Sequence, residues 1–334
     1  MRRSKLGLGT GLGLSVLGWA ALVGWAKRSL VADPPPAELE AALDQWLAQV
    51  GLKPLHRFVA TSVGRVHVLL TGQGQQVVLV LPGLGASGGE FAELIARLGR
   101  HHRVAAVDLP GTGLSDPIDF RGHPGPPWNE VIAAVARELG IAQFSLVGHS
   151  LGGLAAGSYA LAHPEQVPRL ILVSPLGLSR RVPILWNLAL LPGVMELRGW
   201  YERVLLLRRD GARGSASAKR FGGEPGRIQN HYRLLAGLRF GRGADLELIR
   251  RLLHPFRLKT DSQLLPALGL LAERTLVLWG GHDRRLSLRD ARRELDFFKD
   301  LRLEVVPGAG HLLPVTEPNL TAQLITDFLA TGEG

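Results

Sequence analysis

Ser150 stands in the pentapeptide Gly148-His149-Ser150-Leu151-Gly152, after an apolar run that ends at Val147 and before an Ala-rich stretch. A serine between a strand and a helix sits on a sharp turn, where its hydroxyl is presented as a nucleophile. Neighbouring chain passes close to such a turn and leaves no room for Cβ atoms, so the flanking glycines have a steric purpose. The motif therefore predicts covalent catalysis through the hydroxyl of Ser150.

A carboxylate and an imidazole follow Ser150 along the chain, each just after a predicted strand. Residues 275–279 form a buried strand pattern, and the loop that follows carries Asp283. Residues 301–306 form the next strand pattern, and the loop after it carries His311. The three side chains are expected to meet at one edge of the sheet. Together they predict acyl transfer to water through an acyl-serine.

Each residue of this set has a defined task. A serine hydroxyl is a poor nucleophile at neutral pH and needs a base that takes its proton during attack. His311 suits that task, because imidazole accepts and returns protons near neutrality. Asp283 is expected to hold the imidazole in the correct tautomer and to stabilise its charged form.

The chain order Ser150, Asp283, His311 is that of the α/β-hydrolase triad, and the sequence resembles that family from about residue 58 to 329. The likeness includes residues 81–88, which are similar to the family's oxyanion loop. It also includes residues 108–116, which are similar to the family's turn after the next strand.

The resemblance implies an oxyanion hole formed by the backbone N–H groups of Leu84 and Leu151. The family usually has His-Gly where this chain has Pro82-Gly83. Because the donors are backbone groups, the missing histidine removes none of them, although the bracing of the loop is expected to differ.

Three other residues compete for roles in the site. His149 lies within the motif, but its side chain is expected to point away from a site formed by Ser150. His282 precedes Asp283 and is a weak rival to His311 as the base. Asp108 resembles a triad acid, although the family resemblance implies a structural role for it in holding its loop.

The rest of the chain alternates strand and helix patterns, which predicts an α/β fold with a mostly parallel sheet. The family resemblance implies an eight-stranded α/β-hydrolase sheet flanked by helices, with an inserted helical cap. The expected divisions are an N-terminal anchor or uncleaved signal at 1–32, a linker and amphipathic helix at 33–53, hydrolase core at 54–176, cap at 177–265 and hydrolase core at 266–334.

Residues 6–26 carry no charge and are flanked by Arg2, Arg3, Lys5, Lys27 and Arg28. A helix of about 20 such residues matches the hydrocarbon thickness of a bilayer. This predicts a single-pass membrane anchor, with a cleavable secretory signal as the alternative. The slight positive excess before the span predicts that the catalytic body lies on the exported side.

Charge is concentrated in the expected cap. Residues 180–259 contain seventeen Lys and Arg against six Asp and Glu, while the whole chain has a net charge of +10. Such a surface favours an anionic bilayer, and its apolar residues would line an acyl tunnel or enter lipid. The alternative is a helical cap whose apolar residues pack on the core. No nucleic-acid-binding motif accompanies the basic residues, and nucleic acid is not an expected partner.

The 334 residues contain no cysteine, which excludes disulfides, thiolate metal sites and cysteine nucleophiles. No metal or other cofactor is expected. The predicted function is a membrane-tethered serine esterase or lipase whose substrates are small acyl esters such as monoacylglycerols or lysolipids. The alternatives are a C–C bond hydrolase, a proline-iminopeptidase-like aminopeptidase, an acyltransferase and a non-catalytic tethered binding module.

Overall fold

The computed structural model describes residues 36–117, 127–178 and 264–331, together with Gly18 and Ala21. At its centre is an eight-stranded sheet in the order β1-β2-β4-β3-β5-β6-β7-β8. The strands are β1 Leu55–Thr61, β2 Gly64–Thr71, β3 Val77–Leu81, β4 Arg103–Val107, β5 Ser145–His149, β6 Leu170–Val173, β7 Thr275–Gly280 and β8 Arg302–Val306.

The sheet is parallel apart from its first two strands. β1 pairs antiparallel with β2, and β2 pairs antiparallel with β4. All pairings from β4 through β3, β5, β6 and β7 to β8 are parallel. The predicted α/β fold with a mostly parallel eight-stranded sheet is therefore confirmed.

Helices cover both faces of the sheet. They are α1 Pro36–Gln49, α2 Ala92–Leu98, α3 Trp128–Glu138, α4 Leu151–Ala162, α5 Leu264–Leu271, α6 Leu288–Leu295, α7 Leu313–Thr316 and α8 Pro318–Ala330. Buried side chains of α3, α4, α5 and α6 form one hydrophobic cluster with the sheet. Those of α1, α2, α7 and α8 form a second cluster with it.

The central strands are apolar because both of their faces are covered. Every residue of β3 is buried, with Leu79 and Leu81 in one cluster and Val78 and Val80 in the other. Successive side chains of a strand point to opposite faces, so a strand buried on both sides is a continuous apolar run. Such strands end at one rigid edge, where the loops that follow them are held in place.

Helix α1 packs on the body of the protein. Its residues Leu39, Leu43 and Leu47 are buried in the second cluster. Trp46 is also buried, and its indole Nε1 donates a hydrogen bond to the carbonyl oxygen of Gly89 at 2.9 Å. The amphipathic helix expected within 33–53 is therefore α1, and it buries its apolar side against the sheet and its loops.

Among the residues that the structure describes, none of the helices has both the length and the apolar character needed to cross a membrane. The predicted single-pass anchor at residues 6–26, with its exported catalytic body, is corrected on this finding. All of that segment except Gly18 and Ala21 lies outside the described residues. Lack of charge was a weak basis for the anchor, since the glycines at 7, 9, 11 and 13 each disfavour a helix by about 1 kcal/mol relative to alanine.

The expected cap at 177–265 lies outside the described residues except at its two ends. The chain leaves the sheet after β6 and enters it again through α5 and β7. The assignment of this segment as a helical cap stays a prediction.

Candidate active site

Ser150 occupies the turn between β5 and α4 in a strained backbone conformation. Its φ is 52°, in a region that residues with a side chain rarely adopt. The glycines beside it are required by close packing: a Cβ on Gly148 would lie 2.3 Å from the carbonyl oxygen of Gly152, and one on Gly152 would lie 2.2 Å from that of Leu81. The turn therefore fits only this pattern of glycines around the serine.

The structure brings Ser150, His311 and Asp283 together in a hydrogen-bonded row. Nε2 of His311 lies 3.1 Å from the hydroxyl oxygen of Ser150, and Nδ1 of His311 lies 2.7 Å from Oδ2 of Asp283. Ser150 and His311 are buried, with 8% and 9% of their surfaces exposed. A base within hydrogen-bonding distance of a hydroxyl, itself held by a carboxylate, is the arrangement that activates a serine.

Backbone contacts hold the loops that carry Asp283 and His311 against each other. The N–H of Gly281 donates to the carbonyl oxygen of Val306 at 2.9 Å, and that of His282 donates to Ala309 at 2.8 Å. The side chain of His282 is exposed, and His311 is the imidazole that reaches Asp283.

Asp283 is held as an ionised acceptor. Its second oxygen, Oδ1, accepts hydrogen bonds from the backbone N–H groups of Arg285 at 2.8 Å and Leu286 at 3.0 Å. Burial acts to raise the pKa of this carboxyl group, but the bond to His311 and these backbone donors outweigh burial and lower the pKa below its ordinary value. A carboxylate that stays charged can stabilise an imidazolium beside it.

The two expected oxyanion donors flank Ser150. Leu151 is the first residue of α4, and Leu84 follows Gly83, where an added Cβ would lie 3.1 Å from Cβ of Ser150. Within the described residues, no hydrogen bond is made by the N–H of either leucine. Both groups are therefore available to an oxygen that develops charge beside the serine.

Asp108 holds the loop that carries Leu84, at a distance from the triad. Its Oδ1 accepts a hydrogen bond from the N–H of Gly88 at 2.7 Å, and its Oδ2 accepts from the N–H of Leu114 at 2.9 Å and from Nδ1 of His67 at 2.8 Å. The family resemblance implies that Asp108 holds its loop. These contacts agree with that role.

A family model described as alpha/beta hydrolase fold matches residues 76–318, which is more than two thirds of the sequence. The chain belongs to this family. The matched range contains the serine turn, both leucines of the expected oxyanion hole and the loops of Asp283 and His311.

Individual hydrolases with different reactions are similar to this one. The 2-hydroxy-6-oxo-6-phenylhexa-2,4-dienoate hydrolase of Burkholderia cepacia is 27% identical over 277 residues, covering 80% of this chain and 92% of its own. Monoacylglycerol lipase abhd6-B of Xenopus laevis is 26% identical over 295 residues, covering 86% and 85%. The solved structure of carboxylesterase CesB from Bacillus subtilis matches with a TM-score of 0.65 and 23% identity, covering 89% of this chain and 99% of its own. That last likeness supports the shared fold.

The side chain of His149 lies against His311, which differs from the expectation that it points away from a site formed by Ser150. Its Nε2 donates a hydrogen bond to the backbone carbonyl oxygen of His311 at 2.9 Å, and the centres of the two rings are 4.9 Å apart. Burial, and next the proximity of His311, lower the pKa of His149 to about 3. The ring is therefore neutral at physiological pH and does not compete with His311 as the proton acceptor.

A second row of titratable side chains was missed by sequence reasoning. His67, bonded to Asp108, is 3.0 Å from His56 through the facing ring nitrogens Nε2 and Nδ1, and Nε2 of His56 is 3.0 Å from Oδ1 of Asp44. Side chains two residues apart on a strand lie on the same face, so the antiparallel pairing of β1 and β2 places residues 56 and 67 near each other. The alternating pattern of the two strands was the only sequence feature that could have indicated this row.

A metal site would need several His, Asp or Glu side chains that converge on one point. In ranges 36–117, 127–178 and 264–331, no group of three or more His, Asp and Glu side chains is arranged to bind a metal ion.

Proposed function

We propose that this hydrolase cleaves carboxylic esters through an acyl-serine intermediate. The observation that carries the proposal is the row of hydrogen bonds from Ser150 through His311 to Asp283. The backbone N–H groups of Leu84 and Leu151, which make no hydrogen bond within the part of the chain that the structure describes, support it. A nucleophile, its base and an oxyanion site are the parts that acyl transfer to water requires.

In the proposed reaction the hydroxyl oxygen of Ser150 attacks the ester carbonyl carbon while Nε2 of His311 takes the hydroxyl proton. The carbonyl oxygen becomes an oxyanion that the N–H groups of Leu84 and Leu151 stabilise, each by roughly 3 kcal/mol. Collapse of this intermediate breaks the bond to the alcohol, which leaves with the proton from His311. A water molecule then attacks the acyl-serine by the same steps and releases the carboxylic acid.

The proposed substrates are lipid-like acyl esters such as monoacylglycerols or lysolipids. The support for this choice is the similarity to a monoacylglycerol lipase along most of both chains. The membrane anchor, which first suggested lipid, gives it no support. We therefore expect turnover to rise with acyl chain length in a series of p-nitrophenyl esters.

Labelling with a fluorophosphonate tests the nucleophile. The wild type is expected to label, and Ser150→Ala is expected to abolish the label. Ser174→Ala is the matched control, because Ser174 is a buried serine with a positive φ of 42° that directly follows the adjacent strand β6. Loss of label in the control with retention in Ser150→Ala would contradict the proposal, and a folded wild type that never labels would favour the non-catalytic binding module.

The second candidate function is hydrolysis of a carbon–carbon bond. It is favoured by the similarity to a 2-hydroxy-6-oxo-6-phenylhexa-2,4-dienoate hydrolase, which extends over 80% of this chain. Assays with that dienoate, a monoacylglycerol, a p-nitrophenyl ester series and a peptide amide separate the candidates. Efficient cleavage of the dienoate with slow ester turnover would replace ester hydrolysis as the proposed reaction, and preferred cleavage of the amide would indicate an aminopeptidase.

A further inference from the structure

We propose that His149 is a positioning residue that holds the catalytic base at reacting distance from the nucleophile. It would do so by donating its Nε2–H to the backbone carbonyl oxygen of His311. The inference rests on the proposed function, in which His311 takes the proton of Ser150.

The ring of His149 is buried where three parts of the site meet. A Cβ placed on Gly83 of the oxyanion loop would be 2.9 Å from Nδ1 of His149, so the ring lies directly against that loop. The ring of Phe91 contacts it edge-on with centres 5.6 Å apart, and the ring of His311 lies 4.9 Å away. His149 therefore contacts the loop of the oxyanion donors and the base, and it is covalently bonded to the nucleophile.

The hydrogen bond fixes the tautomer of His149. A carbonyl oxygen only accepts, so Nε2 carries the proton, and in a neutral ring Nδ1 then carries none. Nδ1 is buried and has no hydrogen-bond partner among the described residues. Burying an unsatisfied polar atom costs about 1–3 kcal/mol, a cost that an apolar ring of similar size would avoid. Compared with an apolar ring of similar size, the imidazole of His149 therefore offers one favourable difference, which is the hydrogen bond donated by its Nε2–H.

Two consecutive residues of the serine turn contact His311, one at its backbone and the other at its side chain. His149 donates to the backbone carbonyl oxygen of His311, and the hydroxyl of Ser150 lies 3.1 Å from Nε2 of the His311 side chain. The loop that precedes His311 includes Gly308, whose φ is 76°, and Gly310, beside which a Cβ would meet no atom within 4 Å. The N–H of His282 already holds the carbonyl oxygen of Ala309 in this loop, and the bond from His149 adds a contact at the backbone of His311 itself.

Three substitutions of His149 separate the hydrogen bond from the packing of the ring. His149→Gln replaces the ring but keeps an N–H donor at a position similar to Nε2. His149→Met has nearly the length of glutamine and lacks the donor, whereas His149→Phe keeps a ring and lacks the donor. The measured quantities are kcat and KM with a p-nitrophenyl ester, expressed per site titrated with a fluorophosphonate, and the melting temperature of each variant.

We expect kcat to stay high in the variant that keeps an N–H donor and to fall in the two variants that lack one. His149→Gln should keep kcat within about threefold of the wild type. His149→Met and His149→Phe should lose roughly 10²-fold in kcat with KM nearly unchanged, which is the effect of moving a catalytic group by about 1 Å. A residue that served the fold alone would change the melting temperature and the number of titrated sites but leave kcat per site unchanged.

Several outcomes would overturn the positioning role. These are wild-type kcat in His149→Phe, equal losses in the Gln and Met variants, or a loss of more than about tenfold in His149→Gln alone. The last outcome decides the matter even if the other variants fail to fold. A wild type that neither labels nor hydrolyses any ester would instead overturn the proposed function, so the two failures are distinct.

Discussion

Two of the histidine–aspartate pairs that the structure describes have nearly the same separation and different surroundings. His311 and Asp283 are 2.7 Å apart at the edge of the sheet, and His67 and Asp108 are 2.8 Å apart in a part of the core where both side chains have at most 1% exposure. Beyond the first imidazole lies the hydroxyl of Ser150. Beyond the second lies another imidazole, His56. The third group, and not the pair itself, distinguishes a candidate active site from a structural contact.

The hydrogen-bond partners of the imidazoles show how the third group makes the two rows different. In the row of Asp108, His67, His56 and Asp44, both carboxylates accept, so Nδ1 of His67 and Nε2 of His56 carry protons when all three bonds form. The facing nitrogens, Nδ1 of His56 and Nε2 of His67, contact each other, so each of the four ring nitrogens already has a hydrogen-bond partner. Nε2 of His311, in contrast, faces the hydroxyl of Ser150, which can donate a hydrogen bond to it.

Among the changes that test this comparison, removal of the proposed base, His311, should have the largest effect on activity. His311→Ala is expected to lower kcat/KM for ester hydrolysis by on the order of 10⁴-fold or more, because Ser150 then has no proton acceptor. Its melting temperature should change far less than its activity. Steady-state kinetics with a p-nitrophenyl ester measure the effect, and a loss of less than tenfold would mean that another group serves as the base.

The same kind of change in the second pair should affect stability. His67→Phe leaves the buried carboxylate of Asp108 without its imidazole, which is expected to lower the free energy of unfolding by about 3–5 kcal/mol. Denaturant unfolding measures this loss. The kcat per titrated site should stay within about fivefold of the wild type, because His67 contacts no reacting atom. A fall of 10³-fold in kcat per site would show that the second pair takes part in the reaction, and the comparison would fail.

The sheet was predictable from sequence because its central strands are continuous apolar runs. Residues 77–81 and 275–279 showed the pattern that burial on both faces requires, and both lie within parallel strands of the structure. The loops that follow parallel strands share one edge of a sheet. For that reason the types and order of Ser150, Asp283 and His311 were enough to predict that these residues meet.

Contacts that depend on three-dimensional detail were not predictable. The bond from His149 to the carbonyl oxygen of His311 joins residues 162 positions apart, and it depends on the rotamer of one ring. The bonds among His56, His67 and Asp44 require the register of a hairpin and the packing of α1 against it. The predicted anchor rested on an uncharged run, and none of the described helices is long and apolar enough to cross a membrane.

The stability of the protein at acid pH should depend on His149. Its pKa is lowered from 6.5 to about 3 in the folded protein, so the unfolded chain binds a proton between these values that the folded protein does not. Its contribution to stability is therefore fully present above about pH 6.5 and falls by about 1.4 kcal/mol per pH unit on acidification towards pH 3. Glutamine does not titrate, so His149→Gln should remove this dependence.

Unfolding of the wild type and His149→Gln in denaturant at several pH values between 7 and 4 measures that difference. The other titrating groups are common to both proteins, and the difference in slope isolates the ring of His149. Parallel curves would show that the ring becomes protonated in the folded protein, contrary to the low pKa that its burial produces.

The smallest effect is expected at the exposed end of the second row. The side chain of Asp44 is 57% exposed, and its bond to His56 lies at the surface end of the row. Asp44→Asn keeps an oxygen that accepts this bond and removes only a solvated charge, so the free energy of unfolding should fall by less than about 1 kcal/mol. High salt should reduce the loss further, and ester turnover should not change. A loss as large as that of His67→Phe would mean that the exposed carboxylate of Asp44 is as important to the row as the buried pair of His67 and Asp108.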